Sequence, residues 1–149
     1  MAELEFTVPG KARGKGRPRV TKLGVTYTPP ETVNAEAFVK QRAFQALAGR
    51  PMLDGALRMT IEIIVEPPKT LTKARRGAIE SGRERPTGRP DLDNCIKLIA
   101  DSLNGIAYRD DAAIAELHVR RRYGARAETW VHILELEAAA AAAPMEAAA

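Results

Sequence analysis

The feature that most constrains the fold is a strict alternation of side chains between residues 56 and 66. Five apolar residues recur there at every second position, namely Leu57, Met59, Ile61, Ile63 and Val65. Successive side chains of a strand point to opposite faces, so this pattern predicts a strand with one buried face. The preceding segment, residues 31–48, has apolar residues at helical spacing and ends at Gly49, which predicts a helix. The chain therefore combines sheet and helix.

The remaining patterns predict the order of the other elements. They are a strand over 3–8, a hairpin turning at 21–24, a short helix over 73–80, a helix over 94–103 capped by Asp93, and strands over 113–122 and 127–136. The last two strands follow one another without a helix, with a hairpin expected at Gly124. We therefore expect an α+β fold with a small mixed or antiparallel sheet and two main helices. This single domain spans 1–137, and the Ala-rich residues 138–149 are expected to form a disordered terminus.

Composition excludes several classes of protein. The chain has 149 residues and a single cysteine, which excludes an intramolecular disulfide framework and a Cys-cluster zinc site. No apolar run approaches the roughly 20 residues that span a bilayer, so we expect a cytoplasmic protein without a membrane partner. The formal net charge is +4, and the last fifteen residues hold three glutamates and no basic residue, so residues 1–134 carry +7. That excess favours a polyanionic partner such as nucleic acid.

Two basic segments are the predicted DNA contacts. Residues 11–19, here called the basic arm, contain five basic residues and no acidic one, and their glycines and proline favour an extended chain. Residues 67–90, the basic loop, contain seven basic residues against two glutamates and are expected to form a mobile surface loop. Either segment could instead be a solvated surface. The residues predicted to bind DNA are Lys15, Arg17, Arg19, Lys73, Arg75, Arg76, Arg85 and Arg89, with Arg120, Arg121 and Arg122 as the next candidates.

The segment 89–111 carries the acidic residues that suggest catalysis. If residues 91–93 stay extended, the side chains of Asp91 and Asp93 point to the same side. Lys97 and Asp101 then follow at helical spacing on the same side of the helix as Asp93. The opposite, apolar side of this helix is expected to face the core.

Asp110 and Asp111 follow this helix after a short loop and could complete a carboxylate cluster from a second element. Carboxylates that crowd together repel one another, and a fold that keeps them usually supplies a cation. Oxygen ligands suit a hard ion such as Mg²⁺, with Mn²⁺ as a possible substitute. A metal ion held in this way binds phosphate oxygens and activates water, which is the chemistry of phosphodiester hydrolysis.

Each acidic residue also has a plainer interpretation. Asp93 could be only a helix cap, and Asp101 could be an exposed helix residue paired with Lys97. Asp110 and Asp111 could be only turn residues. Paired acids beside basic segments nevertheless favour a nuclease, because a nuclease must attract a phosphate polyanion and hydrolyse it. Three further residues are expected to be structural rather than catalytic: His118, His132 and the buried Cys95.

The pattern from Pro90 to Asp111 resembles the RusA family of Holliday-junction resolvases. The residues that carry the resemblance are Pro90, Asp91, Leu92, Asp93, Asn94, Lys97, Asp101, Leu103, Asn104, Gly105, Asp110 and Asp111. Similar features occur at Gly14–Arg19, at Tyr27–Pro29 and at Pro67–Lys69, so the likeness covers residues 3–136.

This resemblance implies metal ligation by Asp91, Asp93 and Asp111, with Asp110 beside them, and catalysis by the first three aspartates together with Lys97. It also implies a Mg²⁺-dependent homodimer that cuts four-way DNA junctions with paired, symmetric nicks and needs no small-molecule cofactor. A junction with approximate twofold symmetry suits a dimer with two active sites. Lys97 would stabilise the extra charge of the pentacovalent phosphate or its leaving oxygen.

One short segment departs from the family pattern. After the two aspartates the family commonly has a polar residue, Gln and a β-branched residue, whereas this chain has Ala112, Ala113 and Ile114. The favoured function is a structure-selective endodeoxyribonuclease. The alternatives are a recombination accessory protein that binds DNA junctions without cutting them, and a nuclease for other branched DNA. Clustered aspartates weaken DNA binding, so retaining them favours a metal-dependent nuclease.

Overall fold

A computed structural model describes residues 2–137 as a four-stranded mixed sheet, a small two-stranded sheet and three helices. The large sheet has the order β1-β6-β4-β5 and consists of β1 (Glu3–Pro9), β4 (Leu57–Val65), β5 (Ile114–Tyr123) and β6 (Glu128–Glu135). The small sheet pairs β2 (Arg19–Val20) with β3 (Thr26–Tyr27). The helices are α1 (Pro30–Leu47), α2 (Lys73–Glu80) and α3 (Leu92–Ser102), and a 3-10 turn spans Asp111–Ala113. The predicted α+β class with a mixed sheet is confirmed.

β4 lies inside the sheet, between β6 and β5, and its alternation buries every second side chain. Its four inward residues, Leu57, Met59, Ile61 and Ile63, are at most 1% exposed. The residues between them are half-buried on the other face. Burying an apolar side chain of this size stabilises a fold by roughly 1.5–3 kcal/mol, so β4 anchors the strands on both of its sides.

α1 and α3 pack together over the buried face of the sheet. Proline occupies the first turn of α1, where its missing N–H costs no hydrogen bond. The core residues of the two helices are Val39, Ala43 and Leu47 on α1, and Cys95, Leu98 and Ile99 on α3. The burial of Cys95 that the sequence predicts is confirmed, and the polar side of α3 is left facing outward.

β5 and β6 do not form the hairpin that the sequence predicts. β4 lies between them, parallel to β5 and antiparallel to β6. The connection 124–127 crosses the end of β4, where the Gly124 N–H donates to the Val65 carbonyl at 3.0 Å. A Cβ on Gly124 would lie 2.5 Å from Ile64 Cγ2. A glycine is therefore required where the connection passes close to β4. A glycine is also typical of a hairpin turn, so the sequence alone does not distinguish the two arrangements.

The hairpin at 21–24 and the helix α2 are confirmed. In the hairpin, the Gly24 N–H donates to the Thr21 carbonyl at 2.9 Å. Among residues 2–137, none of the helices combines the length and the apolar character that a membrane crossing needs. The predicted disordered terminus, 138–149, lies outside the described residues.

Candidate active site

α3 carries the candidate acids, and it begins earlier than the sequence predicts. Leu92 is the first helical residue, and Asp91 is the N-cap, with φ of −61° and ψ of 141°. The prediction that Asp93 caps the helix after an extended 91–93 segment is wrong, because the Cys95 N–H already donates to the Asp91 carbonyl at 3.2 Å. The Asp91 carboxylate accepts no capping hydrogen bond. Asp91 and Asp93, here called the acid pair, are both exposed.

The loop after α3 returns the chain to the C-terminal end of that helix. The Asn104 Oδ1 accepts a hydrogen bond from the Asp111 N–H at 2.8 Å. The fully buried Tyr108 donates its hydroxyl hydrogen to the Ala100 carbonyl at 2.7 Å. These contacts place Asp110 and Asp111 near Asp101, and the three residues are here called the acid cluster.

The acid cluster is crowded with like charge. The pKa of Asp111 is raised, first by a hydrogen bond with Asp110, then by burial and by the charges of Asp110 and Asp101. The same acids add to the raised pKa of Tyr108, for which burial is the main cause. A cation among these oxygens would relieve the repulsion, and carboxylate oxygens are suitable ligands for a hard divalent ion.

Asp101 pairs with the basic arm rather than with Lys97. Lys15 Nζ donates a hydrogen bond to Asp101 Oδ2 and lies 3.7 Å from Glu36 Oε1. The predicted pair between Lys97 and Asp101 does not occur in the described part of the chain, and Lys97 is exposed. The hydrogen bond to Asp101 is the main reason why the pKa of Lys15 is raised. Lys15, predicted to bind DNA, is thus engaged by two carboxylates of the protein.

The acid pair and the acid cluster lie at opposite ends of α3. Eight residues separate Asp93 from Asp101, which is a rise of about 12 Å along a helix. Within residues 2–137, no three His, Cys, Asp or Glu side chains converge closely enough to hold one metal ion. Carboxylate oxygens are the donor type that Mg²⁺ prefers, but the structure places Asp110 and Asp111 near Asp101 rather than near Asp91 and Asp93.

Arg121 of β5 supports the turn that carries Asp91. Its Nη1 donates to the Pro90 carbonyl at 2.8 Å and to the Gly88 carbonyl at 3.1 Å. Its Nε is buried and has no hydrogen-bond partner among the described residues. Burial raises the pKa of the Cys95 thiol, and the Arg121 guanidinium opposes part of that rise. Arg121 thus links the sheet to the start of α3.

Sequence reasoning missed this role because it grouped three consecutive arginines as equivalent. The period-two pattern of a strand places Arg121 on the same face as Val119, and both are half-buried. Arg120 and Arg122 point to the other face, where both pair with Glu62. The strand periodicity was therefore the signal that could have separated Arg121 from its neighbours.

The other residues predicted to bind DNA lie on the surface. Arg17 and Arg19 of the basic arm are exposed. In the basic loop, Arg75 Nε pairs with Glu84 Oε1 at 2.9 Å. Four further residues of that loop are exposed and make no ion pair within residues 2–137: Lys73, Arg76, Arg85 and Arg89. Exposed charges of this kind are suited to phosphate contacts.

The two histidines lie on strands of the large sheet and contact glutamates there, rather than the acid pair or the acid cluster. His132 lies 2.9 Å from Glu3 Oε2 and stacks on Trp130, with ring centroids 5.7 Å apart. His118 lies 3.8 Å from Glu116. These contacts agree with a structural role for both side chains.

Comparison with known proteins identifies the family to which the chain belongs. Residues 9–134 match the sequence profile described as Endodeoxyribonuclease RusA. The chain is also similar to a protein of Bacillus subtilis (strain 168) named "Uncharacterized protein YqaN", with 30% identity over 139 residues, which is 91% of this chain and 98% of that protein. Because the matched region includes both ends of α3 and most of the chain, we conclude that the chain belongs to the RusA endodeoxyribonuclease family.

Proposed function

We propose that this protein is a Mg²⁺-dependent, structure-selective endodeoxyribonuclease that resolves four-way DNA junctions by paired phosphodiester hydrolysis. Mn²⁺ would replace Mg²⁺. The observation that carries the proposal is the match of residues 9–134 to the RusA endodeoxyribonuclease family, and the like charge around Asp111, which lies beside Asp110 and Asp101, supports it. A nuclease uses such crowding to attract a cation, whereas the same negative charge weakens a protein that only binds DNA.

The residues that would hold the divalent ion are Asp91, Asp93 and Asp111, with Asp110 beside them. When bound, the ion would polarise the phosphate and generate the attacking hydroxide. Because the acid pair and the acid cluster lie at opposite ends of α3, the proposal requires one of two arrangements. Either the loop that carries Asp110 and Asp111 moves towards the acid pair when the ion and DNA bind, or each end of α3 serves its own ion.

Lys97 would act on the reacting phosphate. It lies one helical turn from Asp93 and one turn from Asp101, on the outward side of α3. Its exposed ammonium is not committed to an ion pair within residues 2–137. A compact positive charge at this place would stabilise the negative charge that develops on the phosphate or on its leaving oxygen.

DNA would be held by the basic arm, which contacts α3 at Asn94, and by the basic loop, which leads into α3. The exposed Arg17 and Arg19 of the basic arm and the exposed residues of the basic loop would contact backbone phosphates, which favours recognition of shape over sequence. A homodimer would present two such sites to the two opposed strands of a junction. Size-exclusion chromatography with light scattering measures this state directly, and a monomer on the junction would contradict it.

One observation favours a second candidate function, a junction-binding accessory protein that does not cut. The expected gathering of four aspartates around one point is absent from the described residues. A protein that lost its metal site would keep the basic segments and tolerate separated acids. Cleavage of junctions is the property that separates the two functions.

The test is incubation of purified protein with labelled four-way, flap and linear duplex DNA, each with Mg²⁺, with Mn²⁺ and with EDTA. We expect paired nicks in the four-way junction with either metal, slower cutting of the other substrates, and none with EDTA. Asp91→Asn is the matched variant that should bind but not cut. Tight junction binding without nicks in any metal would establish the accessory function, and faster cutting of flaps would establish a nuclease for other branched DNA.

A further inference from the structure

The side chain of Lys15 is half-buried and lies between two carboxylates. Its Nζ donates to Asp101 Oδ2 on α3 and lies 3.7 Å from Glu36 Oε1 on α1. The three side chains are only 21–29% exposed. A phosphate contact by Lys15 would have to break this pairing and leave two half-buried carboxylates without a counter-charge, which is costly.

The backbone around Lys15 is fixed at the same time. The Lys15 N–H donates to the Asn94 carbonyl at 3.0 Å, and the Gly16 N–H donates to the buried Thr32 Oγ1, also at 3.0 Å. A Cβ on Gly14 would lie 3.0 Å from Pro90 Cβ, and one on Gly16 would lie 2.7 Å from Thr32 Oγ1. The segment 14–16 thus fits closely against both helices, unlike the exposed residues 17–19 that follow.

This segment connects the two ends of the candidate site. Its backbone binds Asn94, next to the acid pair, and its side chain binds Asp101 of the acid cluster. Asp101 in turn interacts with Asp111. Lys15 is therefore the one basic residue that the described contacts join to the acid cluster by a direct hydrogen bond.

We propose that Lys15 is a positioning residue of the nuclease site and not a DNA contact. By holding Asp101, it fixes the carboxylate beside which Asp111 is placed, and it ties the basic arm to the helix that carries the acids. The catalytic part of this inference rests on the proposed nuclease function. The attachment of the arm to α3 does not depend on it.

Lys15→Met separates these roles, because it keeps the length of the side chain and removes the charge. In Lys15→Met the Asp101 carboxylate would add an uncompensated negative charge near Asp111. We expect DNA-free protein to bind Mn²⁺ more tightly, by roughly fivefold. Cleavage at saturating Mn²⁺ should nevertheless fall by at least about tenfold, because the acids are no longer held in place. Lys15→Arg should restore most of both values.

The matched control is Arg17→Met, which removes one charge from the exposed part of the same arm. Three measurements are made on each full-length variant: Mn²⁺ titration calorimetry, hydrogen exchange of the amides at 15 and 16, and the salt dependence of junction affinity in EDTA. Lys15→Met should speed exchange at both amides and leave the salt slope unchanged. Arg17→Met should leave exchange unchanged and reduce the slope by about 0.9 for each lost phosphate contact.

Several results would overturn the inference. A reduced salt slope with unchanged exchange and Mn²⁺ affinity in Lys15→Met would make Lys15 a DNA contact. A parallel loss of Mn²⁺ affinity and cleavage rate, not restored by Lys15→Arg, would make it a purely structural residue. If the unmodified protein binds no Mn²⁺, the proposed function and the catalytic part fail, while exchange and salt slope still decide whether Lys15 ties the arm to α3.

Discussion

The two ends of α3 hold their carboxylates in opposite electrostatic surroundings. At the N-terminal end, Asp91 and Asp93 are exposed, lie where the helix dipole favours negative charge, and follow a turn held by Arg121. At the C-terminal end the dipole disfavours negative charge, yet the acid cluster is crowded there, with Lys15 as the counter-charge on Asp101. The difference teaches that the helix dipole favours the negative charge at the N-terminal end, whereas the C-terminal end relies on the Lys15 ammonium, although the N-terminal end has the more recognisable motif.

Replacing one acid at each end tests whether both ends serve one reaction. Asp91→Asn and Asp111→Asn should each lower the single-turnover rate of junction cleavage by more than about 100-fold. Loss of a residue that only supports a metal ligand costs about 10- to 100-fold, so a larger loss indicates a ligand itself. Junction affinity in EDTA should stay within a few-fold, because side-chain size is kept. Glu116→Gln, which removes an acid of β5 paired with Arg58, is the control and should keep the rate. A large loss at only one end would confine the active site to that end.

Lys97 lies between the two ends, and its replacement probes the chemical step. Lys97→Ala should lower the single-turnover rate by roughly 10- to 100-fold without preventing Mn²⁺ binding, because a contact made in the transition state acts mainly on the rate. Lys97→Arg should restore the rate only in part, since a planar guanidinium does not reproduce a compact ammonium. An unchanged rate in Lys97→Ala would reduce the residue to a charge on the helix surface.

Among the described contacts, Arg121 touches the turn before α3 and not the acid cluster, so we expect its replacement to affect the N-terminal end alone. Arg121→Gln leaves the carbonyls of Gly88 and Pro90 without their donor and should lower the unfolding free energy by about 1–3 kcal/mol in urea titrations. Cleavage should fall by about tenfold as Asp91 loses its support. Arg122→Gln, which breaks an exposed pair with Glu62, should cost under about 1 kcal/mol. Equal losses in the two variants would remove Arg121 from the site.

The smallest expected effect is the pH dependence of stability at the acid cluster. Because the pKa of Asp111 is raised in the folded protein, the stabilisation linked to its proton is present below the unfolded pKa and is lost as pH rises through the folded pKa. Asp111→Asn mimics the protonated form, so it should raise the Tm of metal-free protein by about 1–3 °C at pH 7. The gain should disappear as pH falls below the unfolded pKa of the carboxyl, where the unmodified side chain is protonated in both states. A lower Tm at pH 7 would contradict the crowding of these carboxylates.

Local patterns predicted the elements of the fold better than their arrangement. The helices at 31–48 and 73–80 and the strand at 56–66 follow from periodicity, which a chain shows within a few residues. The insertion of β4 between β5 and β6 does not follow from periodicity, because Gly124 suits a close crossing and a hairpin turn equally.

The candidate site shows the same limit. The acids and Lys97 were recognisable from residue types and spacing, whereas the start of α3 was misplaced because both Asp91 and Asp93 are good caps. The pair between Lys15 and Asp101 joins residues 86 positions apart. Helix spacing suggested Lys97 as the partner of Asp101, and tertiary packing supplied Lys15 instead. Such a pair leaves no signal in a local stretch of sequence.

The most direct test of a metal-dependent site at both ends of α3 is calorimetric titration of Mn²⁺ into DNA-free protein. The series comprises the unmodified chain, Asp91→Asn, Asp111→Asn and the double variant. We expect Mn²⁺ to bind the unmodified protein, and either acid replacement to weaken that binding by at least about tenfold or to remove one of two binding events. Absence of Mn²⁺ binding to the unmodified chain, or identical titrations across the series, would contradict a role for these carboxylates as metal ligands.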